Sequence, residues 1–170
     1  VAMLVQPFNM PVTLDGTFGP LKDTATIDAI NLRLGLGKTD FTITGKTAGQ
    51  NATVNISSPL INTANLPMAL PLNKPADITD LKITAEVKGQ EAKLNNLSFQ
   101  LFNGQVKGQG TVIAGSDAPP FKGTVTIQGL QLGPALETVA TTRVSISGTA
   151  GGDLALQGRG FSMPELTTSL

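Results

Sequence analysis

The side chains that could do chemistry in this chain are few and widely spaced. The sequence has no His and no Cys, which excludes a thiol nucleophile, a disulfide framework and an imidazole acid–base group. The nearest carboxylate pairs are Asp77 with Asp80 and Glu86 with Glu91. Each pair falls at a strand end or turn, without the apolar pocket that a tuned acid–base pair requires. We therefore predict that this is not an enzyme, with no catalytic residue, metal site or cofactor.

Short glycine motifs do not indicate nucleotide chemistry either. Gly37-Lys38-Thr39 resembles the end of a phosphate-binding loop, but the first glycine of that motif would fall at Leu32. Gly108-Gln109-Gly110 and Gly158-Arg159-Gly160 lie within predicted strands, where close strand packing explains them better than a dinucleotide site. We interpret these glycines as turn and packing positions.

The charge balance excludes further classes of function. Twelve basic and twelve acidic residues give a formal net charge of zero, and only 14% of the residues are charged. A basic stripe for nucleic acid and a polybasic segment for anionic lipid heads are both missing, so we predict no nucleic-acid partner. The longest apolar stretch, Leu66–Leu72, contains two prolines and is far shorter than the roughly 20 residues of a membrane span. The start Val1-Ala2-Met3 shows no charged region of a signal peptide. We expect a piece of a longer protein, because the last helix pattern stops almost as soon as it begins.

Alternating apolar residues predict that β-strands build the fold. The run Leu97–Leu101 alternates ahead of an Asn103-Gly104 turn signal, and a second strand follows that turn. The run Thr24–Leu36 changes parity partway along. A strand whose apolar side chains stay on one face across such a change needs an extra residue. The change therefore predicts a β-bulge near Asp28-Ala29. Val54–Ile56 is predicted as a short strand.

The same order of signals occurs twice. Residues 12–70 and 81–139 match as two copies of a unit of roughly 65–70 residues. A truncated third unit covers residues 144–170, opening with a strand at Val144–Gly148.

The predicted fold is therefore mainly β, as one domain over residues 1–170. We expect it to consist of antiparallel sheets of repeated hairpin units, either curled or sandwich-like, with short helices near residues 62–72, 134–142 and 163–170. Stacked repeat units leave a free edge strand at each end, so we expect a tendency to dimerise through those edges.

The candidate site is the face of the strands on which the alternating apolar residues lie. Alternating apolar residues more often fill the core of a closed β structure. The alternative is a sheet that stays open and offers an apolar trough to acyl chains, which the uncharged polar parity favours. The absence of Trp and Tyr disfavours carbohydrate binding. The candidate lipid-facing positions are Ile30, Leu32, Leu34, Phe41, Ile43, Leu97, Phe99, Leu101, Val106, Val125 and Ile127.

The segment Ala92–Val139 resembles the C-terminal region of the AsmA family. The likeness lies in a strand ending in a Gly-rich turn, a glycine-containing strand, a proline loop, and the helix start Gly129–Leu136. The tail Val144–Leu170 resembles the family's next block, and Pro11–Leu70 matches more loosely. The family's common Tyr-Gly-Gly turn is here Phe102-Asn103-Gly104.

This resemblance implies a non-catalytic segment of a Gram-negative envelope protein. AsmA-like proteins are anchored in the inner membrane, project β structure into the periplasm, and are similar to TamB-type and bridge-like lipid-transfer proteins. The resemblance implies a role in outer-membrane biogenesis and phospholipid transport, with the membrane anchor outside this chain. The alternative from another class is a structural spacer or adhesin-like protein-interaction module, which predicts a closed sandwich.

Overall fold

The structure is a computed structural model that describes residues 12–19, 21–23, 26–65, 72–115, 118–139 and 146–160. In these residues the chain forms ten β-strands, one 3₁₀ turn and one α-helix. The strands are β1 (Val12–Phe18), β2 (Leu21–Asp23), β3 (Thr26–Leu36), β4 (Thr39–Ala48), β5 (Asn51–Asn62), β6 (Asp77–Lys88), β7 (Glu91–Leu101), β8 (Gly104–Ile113), β9 (Pro120–Gln131) and β10 (Thr149–Arg159). The mainly β prediction is confirmed.

The strands form a single antiparallel sheet. Its order is β1-β3-β4-β5-β6-β7-β8-β9-β10, and the short strand β2 pairs with β3 beside β1. The terminal strands β1 and β10 do not pair with each other, so the sheet is open. Of the two arrangements that the sequence allowed, the described residues adopt the open sheet rather than a sandwich.

Bulges interrupt the pairing where the sequence changes parity. The β3–β4 register shifts between Ile27 and Ile30, which confirms the bulge predicted near Asp28-Ala29. The β7–β8 register shifts in the same way between Leu94 and Leu97. In both strands the extra residues return the apolar side chains to one face, because a one-residue slip would otherwise reverse them.

Two-residue turns join β3 to β4, β4 to β5, β6 to β7 and β7 to β8. Gly37, Gly49 and Gly89 each have a left-handed φ of about 60°, which glycine adopts without steric cost. The turn predicted at Asn103-Gly104 lies one residue earlier, at Phe102 and Asn103, whose φ angles are 49° and 58°. Asn tolerates this conformation, and its side-chain amide donates to the Gln131 side-chain oxygen over 3.0 Å.

Several predicted boundaries are wrong. Strand β5 is much longer than the short strand predicted at Val54–Ile56, because polar residues and a proline hide its alternation. The helix predicted near residues 62–72 is a 3₁₀ turn at Thr63–Asn65, and residues 66–71 lie outside the described part. The helix predicted near residues 134–142 is α1, Leu132–Val139.

The last part of the chain also differs from the prediction. Ile146–Gly148, predicted as strand, is not in a strand, and β10 begins at Thr149. The helix predicted at residues 163–170 lies outside the described residues. The division into units at 12–70, 81–139 and 144–170 stays a prediction, although β3 to β5 and β7 to β9 follow one another in the same order with bulges at matching places.

Several buried residues lie at one side of the sheet, among them Ile61, Thr63, Ala76 and Thr138. We call this side the helix rim: the strand ends beside α1, the connector at residues 63–65 and 72–76, and the Phe102-Asn103 turn. The buried apolar residues of the described chain are Ile61, Ala76 and Val106. The Thr63 hydroxyl accepts a hydrogen bond from the Ala76 amide over 2.8 Å, and the Thr63 amide donates to the Ala76 carbonyl over 2.9 Å. These bonds hold the connector against the sheet.

Helix α1 runs along the helix rim. It begins where β9 ends, and the carbonyl of Thr138 in its last turn accepts from the amide of Asn73, just before β6, over 2.7 Å. The helix therefore crosses the ends of β8 and β7. Its eight residues span about 12 Å at 1.5 Å per residue, close to the roughly 14 Å of three strand spacings.

Candidate functional site

The strand register places apolar residues on one face of the sheet, here called the apolar face. Residues directly opposite each other on antiparallel strands share a face. One row of such partners crosses all nine strands of the main path. The row contains Gly16, Leu32, Ile43, Ile56, Ile83, Leu97, Gly108, Val125 and Leu154. It is apolar from one edge of the sheet to the other.

A second, parallel row has the same character. Its members are Phe18, Ile30, Gly45, Val54, Ala85, Leu94, Gly110, Gly123 and Leu156. Across the two rows, which lie wholly in the described residues, there is no charged side chain. A lipid tail placed on this face would meet no group that must be desolvated at high cost.

All eleven predicted positions lie on the apolar face. Leu32, Ile43, Leu97 and Val125 belong to the first row and Ile30 to the second. The remaining positions lie at alternate places on the same strands: Leu34 pairs with Phe41, and Val106 pairs with both Phe99 and Ile127. Leu101, two residues beyond Phe99, pairs with Gly104 and Ile78. That these side chains contact lipid stays a prediction.

The sequence interpretation missed part of this face. Val54, Ile56 and Ile83 lie in the two rows at the centre of the sheet, and Leu154 and Leu156 extend the rows onto β10. The signal was present, since these residues also alternate. It was overlooked because Asn, Thr and Lys between them made the strands look short or exposed.

The apolar face is not covered as a core would be. Of the eleven positions only Val106 is buried, at 7% exposure, and the others are half-buried. At the sheet edges the face is more open, with Leu14 68% and Leu154 54% exposed. In the described residues each strand packs mainly against its sheet neighbours and α1 against β9. Within the described residues the face therefore belongs to an open sheet rather than to one half of a sandwich.

A depression of about 300 Å³ lies on this face near the centre of the second row. Its lining includes Ala85, Leu94, Gly110, Val112 and Phe121. Gly110 faces Gly123 across the β8–β9 pair, so two successive strands have no side chain at this point. Larger side chains around Gly110, among them Val112 and Phe121, enclose the depression.

The opposite face, which we call the polar face, carries the charged residues of the strands and the hydrogen-bonding side chains. The interpretation of the polar parity as uncharged is therefore wrong. The Thr84 hydroxyl donates to the Asn55 side-chain oxygen over 3.0 Å, and the Thr126 hydroxyl donates to an Asp153 carboxylate oxygen over 2.6 Å. The pKa of Glu86 is lowered because the Lys88 ammonium donates a hydrogen bond to its carboxylate and adds a favourable charge. The two faces of the sheet therefore differ sharply in chemistry.

The predicted carboxylate pairs give no sign of acid–base chemistry. Asp77 accepts from the Asn62 side-chain amide and Asp80 from that of Gln100, both at exposed positions. Glu91 is exposed at the start of β7. In the described residues no group of carboxylates is placed to hold a metal ion, and no helix is long and apolar enough to span a membrane.

Comparison with known proteins identifies a family for this architecture. The family model described as YdbH-like, Intermembrane phospholipid transport protein YdbH, matches residues 71–159, just over half of the chain. The matched residues include β6 to β10 and α1. No curated protein and no solved structure matches the chain.

Proposed function

Since this chain belongs to the YdbH-like family of intermembrane phospholipid transport proteins, we propose that its apolar face carries the acyl chains of phospholipids. The resemblance to the AsmA family is confirmed, because the YdbH-like family is an AsmA-like bridge lipid-transfer family. The family is one of lipid transport and not a known class of enzyme. We extend this to a non-catalytic role for the present chain.

One observation carries the proposal: an uncharged apolar row crosses nine strands while no second layer of the described residues covers it. A monomeric protein rarely leaves so large an apolar patch in water without a partner for it. Transfer of each methylene from water to such a surface is favourable by about 0.8 kcal/mol. Acyl chains are therefore a physically suitable occupant.

The same proposal includes a place in the cell. A trough between membranes belongs in the periplasm, and we propose that a segment outside this chain anchors the protein in the inner membrane, with outer-membrane biogenesis as its wider role. The YdbH-like family match supports this placement at the level of intermembrane transport. The spacer or adhesin-like alternative predicts a closed sandwich, and the open sheet does not favour it.

A set of matched variants tests the proposal. Leu32, Leu97 and Ile127 are replaced together by Asp on the apolar face. The control replaces their neighbours Asn31, Ser98 and Gln128 by Asp on the polar face of the same strands. After incubation with phospholipid vesicles, native mass spectrometry measures bound lipid and far-ultraviolet circular dichroism checks the fold. We expect the wild type and the control to bind lipid and the first variant to lose it.

A crosslinking experiment covers the case in which the apolar-face variant does not fold. A photoreactive amino acid placed at Val125 should crosslink to phospholipid, whereas the same group at the adjacent Thr124, on the polar face, should not. Equal crosslinking at both positions, or a wild type that acquires no lipid, would overturn the proposal.

A further inference from the structure

The helix rim contains a cleft that the transport of acyl chains does not by itself explain. Its volume is about 380 Å³, and it lies between the connector before β6, helix α1 and the turn after β7. The backbone amides of Asn73 and Lys74 donate to the Thr138 carbonyl over 2.7 and 3.4 Å. The Gln131 amide donates to the Phe102 carbonyl over 3.0 Å. Backbone hydrogen bonds thus hold together the elements that form the cleft.

Charged and apolar groups share the lining of this cleft. Lys74, Asp77 and Glu137 contribute one ammonium and two carboxylates, while Leu101 and Pro134 contribute apolar surface. The Lys74 ammonium lies 3.0 Å from a Glu137 carboxylate oxygen, and the two side chains are 62% and 66% exposed. An ion pair this exposed adds little to the stability of the fold. Its charges therefore remain accessible to a ligand.

Leu101 connects the cleft to the apolar face. It lines the cleft and also lies on the apolar face, opposite Ile78 and Gly104. A molecule whose apolar part rests beside Leu101 can place a polar end among Lys74, Asp77 and Glu137. The arrangement suits an amphipathic ligand with its tail on the sheet and its head at the rim.

The charge balance of the cleft selects among polar heads. Two carboxylates against one ammonium leave a surplus negative charge, which attracts a ligand cation and opposes a net anion. A zwitterionic head with an ammonium and a phosphate can offer its ammonium to Asp77 and Glu137 and its phosphate to Lys74. An anionic head without an ammonium cannot make the first of these contacts.

We propose that this helix-rim cleft holds the zwitterionic headgroup of phosphoethanolamine-type phospholipids whose tails lie on the apolar face. The inference rests on the proposed function, because it assumes that the tails occupy that face. It adds a headgroup preference that the uncharged face cannot provide.

The test loads the full chain from vesicles with equal amounts of phosphatidylethanolamine and phosphatidylglycerol of identical tails. Bound lipids are extracted and quantified by mass spectrometry. We expect wild type to be enriched in phosphatidylethanolamine. The double variant Asp77→Asn, Glu137→Gln should lower that enrichment about threefold, a size typical of exposed charge contacts. The control Glu91→Gln, Asp153→Asn removes two carboxylates elsewhere and should keep the wild-type ratio.

Two further arms separate the possible outcomes. At an ionic strength of about 1 M, where the Debye length is about 3 Å, the wild-type enrichment should vanish. Soluble glycerophosphoethanolamine, which has no tails, should compete weakly, and competition as strong as that of the lipid would overturn the inference. An unchanged ratio in the double variant at normal total lipid would overturn the headgroup site alone. A wild type without bound lipid would overturn the proposed function as well.

Discussion

Gly110 lies directly opposite Gly123 across β8 and β9, and a Cβ atom on Gly110 would come within 2.9 Å of the Lys122 carbonyl oxygen and 3.3 Å of the Gly123 Cα. Backbone thus occupies the space on the apolar face where a side chain would stand. Strands can approach and tilt this closely only where neither partner has a side chain. The glycine pair is therefore a structural requirement of the sheet.

The glycine pair gives the first prediction. Gly110→Ala should lower the free energy of unfolding by about 1–3 kcal/mol, because the methyl group must displace backbone rather than a mobile side chain. Gly152→Ala, on the same face in β10, meets nothing within 4 Å and should be neutral or stabilise by up to about 1 kcal/mol. Urea unfolding measures both. An equal effect of the two substitutions would contradict the close approach.

The open face gives the second prediction, through two truncations. Ile61 is only 5% exposed at the helix rim, so Ile61→Ala should cost about 2–4 kcal/mol. Leu97 is half-buried on the apolar face, so Leu97→Ala should cost only about 1 kcal/mol. Urea unfolding of both variants without lipid measures the difference. A cost at Leu97 as large as that at Ile61 would show that a covering layer exists.

The connector gives the third prediction. Thr63→Val removes the hydroxyl that accepts from the Ala76 amide and should cost about 1–3 kcal/mol, since a buried N–H then lacks an acceptor. Lys74→Met breaks the exposed ion pair with Glu137 and should cost under about 0.5 kcal/mol. Thermal or urea unfolding compares them. The reverse order would mean that charge, rather than the backbone bonds, holds the helix rim.

The fourth prediction concerns acid. Because Lys88 lowers the pKa of Glu86 in the folded chain, the carboxylate contributes stability that is fully present above the ordinary glutamate pKa. That contribution is lost as the pH falls through the lowered folded-state value. Glu86→Gln should therefore be less stable than wild type at neutral pH, with the gap closing in acid. Lys88→Met, followed by urea unfolding across the acid range, should reproduce the change. A gap that widens in acid would contradict this assignment.

The fifth prediction concerns the sheet edges. Among the described residues β1 and β10 end the sheet, and unpaired edges with exposed apolar residues promote association between copies. Sedimentation velocity should show a dimer whose fraction rises with protein concentration. Leu154→Lys places a charge on the exposed apolar side of β10 and should reduce that fraction, whereas Ala155→Lys, on the polar side, should reduce it less. A chain that stays monomeric at high concentration would exclude edge pairing.

Much of the fold is readable from local alternation. The parity change after Ile27 predicted the bulge because one residue of slip exposes every apolar side chain beyond it. The alternation of Leu97, Phe99 and Leu101 likewise predicted which residues share a face. Alternation shows which residues share one face of a strand. It is the same whether or not another layer covers that face.

The rest depends on contacts between distant parts of the chain. Alternation is the same in a closed core and in an open sheet, so the openness of the apolar face could not be predicted from it. The path of α1 depends on the hydrogen bonds that the Thr138 carbonyl accepts from the amides of Asn73 and Lys74, which are far away in sequence. The helix-rim cleft combines Asp77 with Glu137 for the same reason. No local pattern brings those two carboxylates together.

The row from Gly16 to Leu154 bears on how a bound hydrocarbon tail would move across the sheet. Neighbouring strands are about 4.8 Å apart, so under the proposed function a hydrocarbon tail on this face would advance by exchanging the contacts of one strand for those of the next. The free-energy profile along that direction would then vary with the period of the strands. Diffusion on such a surface needs no energy input at each step, and a concentration difference between the two ends would be enough to bias its direction.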